Sequence, residues 1–480
     1  MSGVVAAGDR ETVNAAIEIL RRGGNAVDAA IAAAMASFLA EPMLSSAGGA
    51  GVMTVALAGS PPTSIDFFSN MPGLAEWPET LDFDSYVIDF GPTTQEFHIG
   101  RGAAAVPGTL PGLAEAHHRF GSLPLAELIA PAVRLAEDGM VVPPNAAHVY
   151  TLLWGILARD EDTARVLGGG RQPRVGDRLR NPELAQVLRE FAAQGKTPDR
   201  VFEAMLEQFG RRRGGLISER DILDYHPRVS EPRVHEYGPW SVYCAPTPGG
   251  ELAMHILDTL AAGHVETDEA AEMVRYARAS AAGHARRQHV MAPGSTTQMS
   301  VVDAEGGAAS ITLTNGEGCG HLIPGTGIQL NNFLGEGDIN PDGFHRHRPG
   351  RRLPTMMAPA VGVRAGRPAL AIGSGGSNRI RTAVGQTLYR AVALQQPIEQ
   401  AVRAPRVHAE DDTVWIELED LAQPQAVLDA LGQAFADVRA FPKRDFFFGG
   451  VHAAALDPAG RPHGIGDSRR GGAHRLTAEE

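Results

Sequence analysis

Two threonines are the residues of this sequence whose type and spacing could do chemistry. Residues 298–303 and 308–314 have the composition of short β-strands, and the Ala-Glu-Gly-Gly segment 304–307 between them predicts a hairpin turn. Centring the turn on this segment pairs Thr296 with Thr314 across the hairpin. A threonine hydroxyl becomes a nucleophile only beside a base. Without one, the pattern is more typical of a structural cross-strand threonine pair.

A glycine-rich segment, 373–377, is the second candidate. Its sequence Gly-Ser-Gly-Gly-Ser lacks the spacing of a nucleophile elbow, and it lacks the lysine of a phosphate-binding loop, since the only lysines are Lys196 and Lys443. The segment predicts a strand-to-helix turn, which glycines make sterically possible. Its functional interpretation is a set of backbone N–H groups that bind an anion or an oxyanion.

Two tripeptides contain metal-ligating residue types. Neither Cys-Gly-His at 319–321 nor His-Arg-His at 345–347 has the ligand spacing of a structural zinc site. Both are predicted to be solvated loops, and neither a metal nor a cofactor is expected. The only other cysteine, Cys244, leaves too few for a disulfide framework.

The composition limits the classes of partner. The chain has 480 residues, a formal charge of −13 and a pI near 5.7. A net negative chain lacks the field that attracts phosphate backbones or anionic membranes, so we expect neither nucleic acid nor a membrane as partner. No apolar run reaches the roughly 18 residues of a membrane-spanning helix, and residues 1–7 lack a signal-peptide pattern. We therefore expect a cytoplasmic protein, with a secreted form that has lost its leader as the alternative.

The pattern of elements predicts one large α/β unit. Apolar residues recur at helical spacing in residues 11–22, and residues 29–39 are apolar almost all round, which indicates a helix buried on every side. Few strands are expected before residue 230, and no composition shift marks a second domain. Further helices are predicted at 110–120, 125–137, 182–194, 252–262 and 270–289, and further strands at 328–331, 360–364, 369–373 and 451–456.

An ordered series of eight short motifs runs through the chain. They lie at 23–30, 41–42 with 48–51, 106–109, 214–217, 246–250, 296–303, 331–332 and 373–377. Each motif alone is weak evidence. In this order they resemble the γ-glutamyltranspeptidase family of N-terminal-nucleophile hydrolases, over essentially the whole chain.

The resemblance implies a fold and a maturation step. The fold is of the α/β (α+β) class, a four-layer αββα sandwich, and it is made as an inactive precursor that cuts itself before a threonine. The matching bond is Ser295–Thr296. Cleavage there would give a large subunit, 1–295, and a small subunit, 296–480, which together form one αββα unit. The two fragments are expected to stay together as a heterodimer, and a dimer of these heterodimers is left open.

The same resemblance implies catalytic roles for four residues. Once cleavage has freed it, the α-amino group of Thr296, with an ordinary pKa of about 7.7 to 8.0, takes the proton from its own hydroxyl. Thr314 orients this nucleophile, and the backbone N–H groups of Gly375 and Gly376 form the oxyanion hole. The partners expected are a small-molecule acyl donor and, as acceptor, water or an amine.

The substrate-binding segments depart from the family pattern at the amino-acid end of the donor. Phe68 follows Ile-Asp-Phe in the segment where the family has an arginine that binds the donor's α-carboxylate. The stretch that binds the α-amino group reads Asn-Asn-Phe-Leu-Gly-Glu at 331–336, and only its glutamate keeps a charge. A serine pair is replaced by Pro354-Thr355, which keeps one hydroxyl. The substrate-binding residues are accordingly predicted to be Phe68, Asn315, Phe333, Glu336 and Thr355.

These departures favour a changed specificity. With phenylalanine in place of arginine, nothing offsets the desolvation of a buried carboxylate. We therefore hypothesise a self-processing N-terminal-threonine hydrolase or acyltransferase with a non-glutamyl, more apolar donor pocket. One alternative is a true γ-glutamyl hydrolase or transpeptidase acting on glutathione-like donors, with Arg351 or Arg352 replacing the lost arginine. Others are an amide- or carbon–carbon-bond hydrolase of specialised metabolism, and a non-catalytic relic that keeps only the fold.

Overall fold

The computed structural model describes residues 3–89, 94–285 and 296–479, and its elements form four layers. None of the helices in these ranges is long and apolar enough to span a bilayer. The helices are α1 (Arg10–Arg21), α2 (Ala26–Ala40), α3 (Thr109–Phe120), α4 (Leu125–Asp138), α5 (Pro144–Leu157), α6 (Glu161–Gly168), α7 (Pro182–Gln194), α8 (Asp199–Phe209), α9 (Glu219–Leu223), α10 (Pro248–Ala262), α11 (Glu269–Ala285), α12 (Arg379–Leu388), α13 (Ile398–Arg403) and α14 (Pro424–Ala434). The strands are β1 (Val4–Ala7), β2 (Ala50–Ala56), β3 (Thr63–Phe67), β4 (Asp84–Asp89), β5 (Thr94–Ile99), β6 (Met140–Val141), β7 (Arg178–Leu179), β8 (Arg228–Ser230), β9 (Arg233–Tyr237), β10 (Trp240–Cys244), β11 (Thr296–Val302), β12 (Ala308–Thr314), β13 (Leu322–Ile323), β14 (Ile328–Gln329), β15 (Ala360–Arg364), β16 (Arg367–Gly375), β17 (Val407–Glu410), β18 (Thr413–Glu417), β19 (Asp437–Phe441), β20 (Gly450–Leu456), β21 (Pro462–Ile465) and β22 (Ala473–Leu476).

Two antiparallel sheets form the inner layers and pack face to face. The seven-stranded sheet has the order β22-β1-β11-β12-β2-β3-β8, and the six-stranded sheet has the order β21-β20-β16-β15-β10-β9. Small and β-branched side chains fill the space between them, which lets the sheets approach closely. Those buried there include Val4, Ala56, Val302, Ala308, Val361, Ala371 and Ala454.

Helices form the two outer layers. Every residue of α2 is buried, between the seven-stranded sheet and helices α1 and α4, as its uniformly apolar sequence predicts. A capping box closes its first turn, in which Asn25 and Asp28 each accept a hydrogen bond from the other's backbone N–H. On the far side, α10 and α12 cover the six-stranded sheet. The predicted four-layer αββα fold is thereby confirmed.

The expectation of few strands before residue 230 is wrong. Strands β2, β3 and β8 extend the seven-stranded sheet beside β12, while β4 with β5 and β6 with β7 form separate pairs. All residues of β2 are buried, because one face meets helices and the other meets the second sheet. Its sequence therefore lacks the polar–apolar alternation that marks a half-exposed strand. The helix predicted at 270–289 is α11, and residues 286–289 lie outside the described residues.

In the seven-stranded sheet, strands that precede the Ser295–Thr296 bond in the chain are interleaved with strands that follow it. β11 and β12, which follow the bond, lie between β1 and β2, which precede it. In the six-stranded sheet, β10 pairs with β15 in the same way. Each sheet is therefore built from strands of the segment before this bond and of the segment after it.

Candidate active site

The predicted hairpin is present, and its predicted register is confirmed. Thr296 is the first residue of β11 and lies opposite Thr314, the last residue of β12. Asp303 closes the turn, since its Oδ1 accepts a 2.6 Å hydrogen bond from the backbone N–H of Gly307. The two threonines are only 5% and 7% exposed, and the Thr314 hydroxyl accepts a 3.0 Å hydrogen bond from the N–H of Gly316. Directly paired residues project to the same side of a sheet, so the two threonine side chains are neighbours.

Gln298, two residues after Thr296, links the two strands of the hairpin and packs against the second sheet. Its Nε2 donates hydrogen bonds of 2.9 Å to the hydroxyls of Ser300 and Ser310. Gly373 of β16 packs against it, and a β-carbon there would lie 2.3 Å from its Oε1. The side chain is fully buried, so these bonds offset its desolvation. Because side chains alternate along a strand, Thr296 faces the same space between the sheets.

The first residue of the predicted glycine pair, Gly375, contacts the backbone of Thr296. Gly375 ends β16 and α12 begins at Arg379, which confirms the predicted strand-to-helix turn. A β-carbon on residue 375 would lie 2.1 Å from the carbonyl oxygen of Thr296. Gly376 has a φ of 125°, and a β-carbon there would lie 2.6 Å from the Cα of Gly449. Both positions therefore require glycine.

A buried carboxyl group, that of Glu41, contacts the residue after Thr296. Glu41 is the C-cap of α2; its Oε2 accepts a 2.7 Å hydrogen bond from the Thr297 hydroxyl, and its Oε1 accepts one of 3.1 Å from Thr12. Burial and the nearby Asp9 carboxyl raise the pKa of Glu41 to about 8. At neutral pH this carboxyl is therefore mostly protonated. Glu41 belongs to one of the eight sequence motifs, but nothing in the motif indicates this contact.

A buried arginine, Arg470, contacts the glycine pair. Its Nη1 is 3.7 Å from the β-carbon position of Gly375, and its Nη2 is 3.4 Å from that of Gly376. The guanidinium lies over the ring of Phe446, 3.7 Å from the centroid, and Nη2 donates a 3.4 Å hydrogen bond to the Phe446 carbonyl. Burial and the nearby cation of Arg379 lower the pKa of Arg470 to about 9. It remains a cation at neutral pH. No sequence motif pointed to this residue.

The predicted donor-binding residues Phe68 and Phe333 contact each other. Their rings are stacked with centroids 4.8 Å apart, and they are 1% and 0% exposed. Thr355 lies on a segment that packs beside them, and its hydroxyl accepts a 3.2 Å hydrogen bond from the N–H of Met357. Phe68, at the position where the resemblance implies a carboxylate-binding arginine, is thus inside an apolar cluster. Other members of this cluster are Ala50, Val52, Met71, Ala105, Leu353 and Met357.

The predicted residues Glu336 and Asn315 lie near Thr314. Asn315 follows it in sequence and is fully buried. The Glu336 carboxyl lies beside Gly316, two residues after Thr314. A β-carbon on residue 316 would lie 2.4 Å from the Glu336 Oε1. Burial and the neighbouring Glu317 carboxyl raise the pKa of Glu336 well above its ordinary value. Its Oε1 has no hydrogen-bond partner within the part of the chain that the structure describes.

Arg352, the alternative ligand for a donor carboxylate, lies behind the backbone of Phe68. It is 8% exposed, and its two Nη groups donate hydrogen bonds to the Tyr225 hydroxyl at 2.9 Å and the His226 carbonyl at 2.7 Å. Tyr225 donates in turn to the carbonyl of Phe68 at 2.9 Å. Arg351 is exposed. Through Tyr225, Nη1 of Arg352 is thus linked to the loop that carries Phe68, whereas Nη2 is bonded to His226.

The prediction that the tripeptides 319–321 and 345–347 are solvated is wrong for the first. Cys319 and His321 are 0% and 5% exposed, and His321 lies 3.6 Å from the carboxylate of Asp82. The histidines of the second tripeptide are half-buried, each 2.8 Å from a backbone carbonyl. Over residues 3–89, 94–285 and 296–479, no three His, Cys, Asp or Glu side chains are grouped as metal ligands would be.

Comparisons with known proteins agree on one family. The family model described as gamma-glutamyltranspeptidase matches residues 12–292 and 263–476. The chain is similar to the acylase ACY 1 proenzyme of Pseudomonas sp. (strain SE83), with 33% identity over 93% of this chain and 88% of the relative. It is also similar to the glutathione hydrolase proenzyme of Pseudomonas aeruginosa, with 28% identity over 97% of this chain and 94% of the relative. Among solved structures, a cephalosporin acylase from Bacillus halodurans shares the fold, with a TM-score of 0.80 and 22% identity over 99% of this chain and 95% of that chain.

Proposed function

Because the chain belongs to the γ-glutamyltranspeptidase family of N-terminal-nucleophile hydrolases, we propose that it cleaves its own Ser295–Thr296 bond and then uses Thr296 as the nucleophile of an acyl-transfer reaction. Thr296 begins β11, whereas Ser295 lies outside the described residues. Both curated relatives are named proenzymes, which supports a maturation step. The interleaved strands of the two segments support fragments that stay associated after cleavage.

Self-cleavage needs only the threonine hydroxyl and water. The Thr296 oxygen attacks the carbonyl carbon of Ser295, the C–N bond breaks, and the nitrogen takes up the proton that the hydroxyl gives up. Water then hydrolyses the resulting ester. The products are a carboxylate on Ser295 and a free α-amino group on Thr296, so nucleophile and base come to reside in one residue.

Turnover then follows an acyl-enzyme path. The α-amino group takes the hydroxyl proton of Thr296 as its oxygen attacks the donor carbonyl, and the backbone N–H groups of Gly375 and Gly376 stabilise the oxyanion. The donor's amine leaves with that proton, and an ester to Thr296 remains. Water or a second amine attacks this ester and restores the enzyme. Thr314 holds the nucleophilic hydroxyl in position.

One observation carries this proposal. Thr296 lies directly opposite Thr314, and its carbonyl contacts the backbone of Gly375, so the proposed nucleophile, orienting residue and oxyanion-binding residue are neighbours. They come from three different strands, two of them in one sheet and one in the other.

We infer an acyl donor whose end is more apolar than glutamate. Stacked Phe68 and Phe333 lie in the two segments that the resemblance assigns to the donor's amino-acid end, and their rings pack in an apolar cluster. The similarity to a proenzyme named acylase supports an acyl donor as such. The second candidate is a glutathione hydrolase; it is favoured by Glu336, a carboxyl near Thr314 that could bind an amino group, and by the Pseudomonas aeruginosa relative.

A comparison of donors tests this proposal. Processed protein is assayed with p-nitroanilides of γ-glutamate, hexanoate and phenylacetate, which share one leaving group. We expect faster release of p-nitroaniline from the hexanoyl or phenylacetyl donor. A higher kcat/KM for the γ-glutamyl donor would instead select the second candidate.

A further inference from the structure

The first three residues of β11 are paired along one edge of the strand. On that edge, β12 pairs with β11 over its whole length, from residue 296 to residue 302. On the opposite edge, β1 pairs only with residues 299–302, because β1 ends at Ala7 and the chain then turns into α1, which begins at Arg10. Within the described ranges, no strand pairs with this second edge at residues 296–298. The end of β11 that carries Thr296 therefore needs another contact to hold it.

The carboxyl group of Glu41 contacts this end of β11. Its Oε2 accepts the 2.7 Å hydrogen bond from the hydroxyl of Thr297, the residue next to the proposed nucleophile. Because side chains alternate along a strand, Thr297 points toward the helix layer, where Glu41 ends α2, whereas Thr296 points into the space between the sheets. Glu41 thus holds the strand from behind and reaches Thr296 only through the backbone.

Close packing keeps the Glu41 carboxyl in this place. A β-carbon on Gly8, the residue after β1, would lie 2.2 Å from the Glu41 Oε2 and 2.8 Å from the Thr297 hydroxyl oxygen. The other carboxyl oxygen, Oε1, accepts the 3.1 Å hydrogen bond from Thr12 of α1. All three side chains are buried. The carboxyl is therefore a rigid anchor, since the loss of either bond would leave a buried polar group unsatisfied.

Self-cleavage would make this anchor more important. In the precursor, residue 296 is joined covalently to Ser295 on one side and to Thr297 on the other. Once the first of these bonds is cut, Thr296 is a chain terminus, and termini are poorly ordered unless a contact ties them down. Glu41 belongs to the segment before the cut and Thr297 to the segment after it. Their hydrogen bond therefore joins the two fragments one residue from the new terminus.

We propose that Glu41 is a positioning residue for the nucleophile, which keeps the freed Thr296 in place by binding the Thr297 hydroxyl. Thr296 is thereby held opposite Thr314 and against Gly375. This inference rests on the proposed function, because it concerns the terminus that self-cleavage creates. Displacement of a nucleophile by a fraction of an ångström slows the reaction far more than it weakens substrate binding. Loss of the bond should therefore lower kcat and change KM little.

Thr297→Val tests the bond, since it removes the hydroxyl and keeps the shape of the side chain. The processed protein is assayed with the p-nitroanilide, of the three named above, that the wild type hydrolyses fastest. We expect kcat to fall by at least about tenfold while KM stays within about twofold of the wild-type value. Self-cleavage should suffer less than turnover, because the precursor holds residue 296 from both sides. Thr297→Ser keeps a hydroxyl and should recover most of kcat.

Thr54→Val is the matched control. Thr54 is a buried threonine of β2, in the same sheet, and its hydroxyl donates a 2.8 Å hydrogen bond to the carbonyl of Pro359. Its replacement should lower the melting temperature and leave kcat unchanged. A merely structural role of Thr297 would give the same result as this control.

Variants of the partner assign the effect to the pair. Glu41→Leu removes the acceptor and should lower kcat as Thr297→Val does, whereas Glu41→Gln keeps an acceptor oxygen and should retain most of kcat. The double variant Glu41→Leu with Thr297→Val should be no slower than the slower single variant, because one bond can be lost only once. Fully additive losses would contradict the pairing. If Glu41→Leu does not fold, Gly8→Ala displaces the carboxyl instead, and a wild-type kcat in that variant would contradict the proposal.

The same measurements separate this inference from the proposed function. Wild-type protein that turns over donors without a cut before Thr296 would refute the proposed function, and with it the role of Glu41. Wild-type protein that is cut there and active, but whose Thr297→Val variant has an unchanged kcat, would refute the role of Glu41 and leave the proposed function intact.

Discussion

Gly375 and Thr296 are in contact so close that residue 375 cannot carry a side chain: a β-carbon there would lie 2.1 Å from the Thr296 carbonyl oxygen. The end of β16 in the six-stranded sheet is thus fixed against Thr296, the first residue of the hairpin in the seven-stranded sheet. Any displacement of residue 375 moves the proposed oxyanion hole away from the proposed nucleophile.

Gly375→Ala should therefore impair both maturation and turnover. The added methyl group must push β16 away from Thr296, which separates groups whose positions need to be accurate to a fraction of an ångström. The measurements are the cleaved fraction on a denaturing gel and kcat of whatever protein is cleaved. Gly432→Ala, in α14 with open space around it, is the control. Wild-type processing and kcat in Gly375→Ala would exclude the proposed role of this residue.

Thr314→Ala should lower kcat by a factor on the order of 10 to 1000, as the loss of one positioned hydrogen bond does. Thr314→Ser keeps the hydroxyl and should retain most of the activity. The comparison is made on fully processed protein, so that a maturation defect is not counted as a catalytic one. An unchanged kcat in Thr314→Ala would remove this residue from the site.

Phe68→Arg should not create a γ-glutamyl hydrolase. The new guanidinium would be buried against Phe333 in an apolar cluster, and the Asp66 carboxylate beside the residue 68 backbone already lies 3.7 Å from Arg352, so desolvation of the new charge is costly. We expect a lower melting temperature and little hydrolysis of γ-glutamyl-p-nitroanilide, with Phe68→Leu as the apolar control. The specificity argument is contradicted if the wild-type protein hydrolyses glutathione with kcat/KM at or above about 10⁴ M⁻¹s⁻¹.

The buried carboxyl of Glu41 should make stability depend on pH. Its pKa is raised from 4.5 to about 8 in the folded state, so between these values the unfolded chain has released a proton that the folded protein keeps. The contribution of Glu41 to stability is therefore lost as pH rises from about 4.5 to 8 and changes little above that.

Glu41→Gln removes this titration and keeps the shape of the side chain. The melting temperature of the variant minus that of the wild type should increase between pH 5 and pH 8 and then level off. The exposed Glu161→Gln is the control, and its difference from wild type should stay flat. A flat difference for Glu41→Gln would show that Glu41 ionises normally in the folded protein.

Local chemistry made part of this fold predictable from the sequence. The turn at 304–307 fixes the register that pairs Thr296 with Thr314, and the apolar run in α2 indicates burial on all sides. Strand β2 was missed because it is buried on both faces and shows no alternation. The turn residues decided the first outcome, and the pattern of apolar residues decided the other two.

Contacts between residues distant in the chain were not predictable. Glu41 and Thr297 are 256 positions apart, and Arg470 reaches Gly375 only after two sheets have packed together. A single sequence gives no sign of such pairs, since each residue alone is typical of many environments. The family resemblance supplied the roles of Thr296 and the glycine pair, but it gave no role to Arg470.

The mass of the purified protein tests the central claim most directly. Intact mass spectrometry under denaturing conditions, with N-terminal sequencing of the smaller species, should find two chains in the wild type, the smaller one beginning at Thr296. Thr296→Ala should give one uncut chain, because the hydroxyl that attacks the Ser295 carbonyl is absent, and Thr296→Ser should retain some cleavage. A wild-type protein that turns over substrate as a single uncut chain, or that is cut at another bond, would contradict the account.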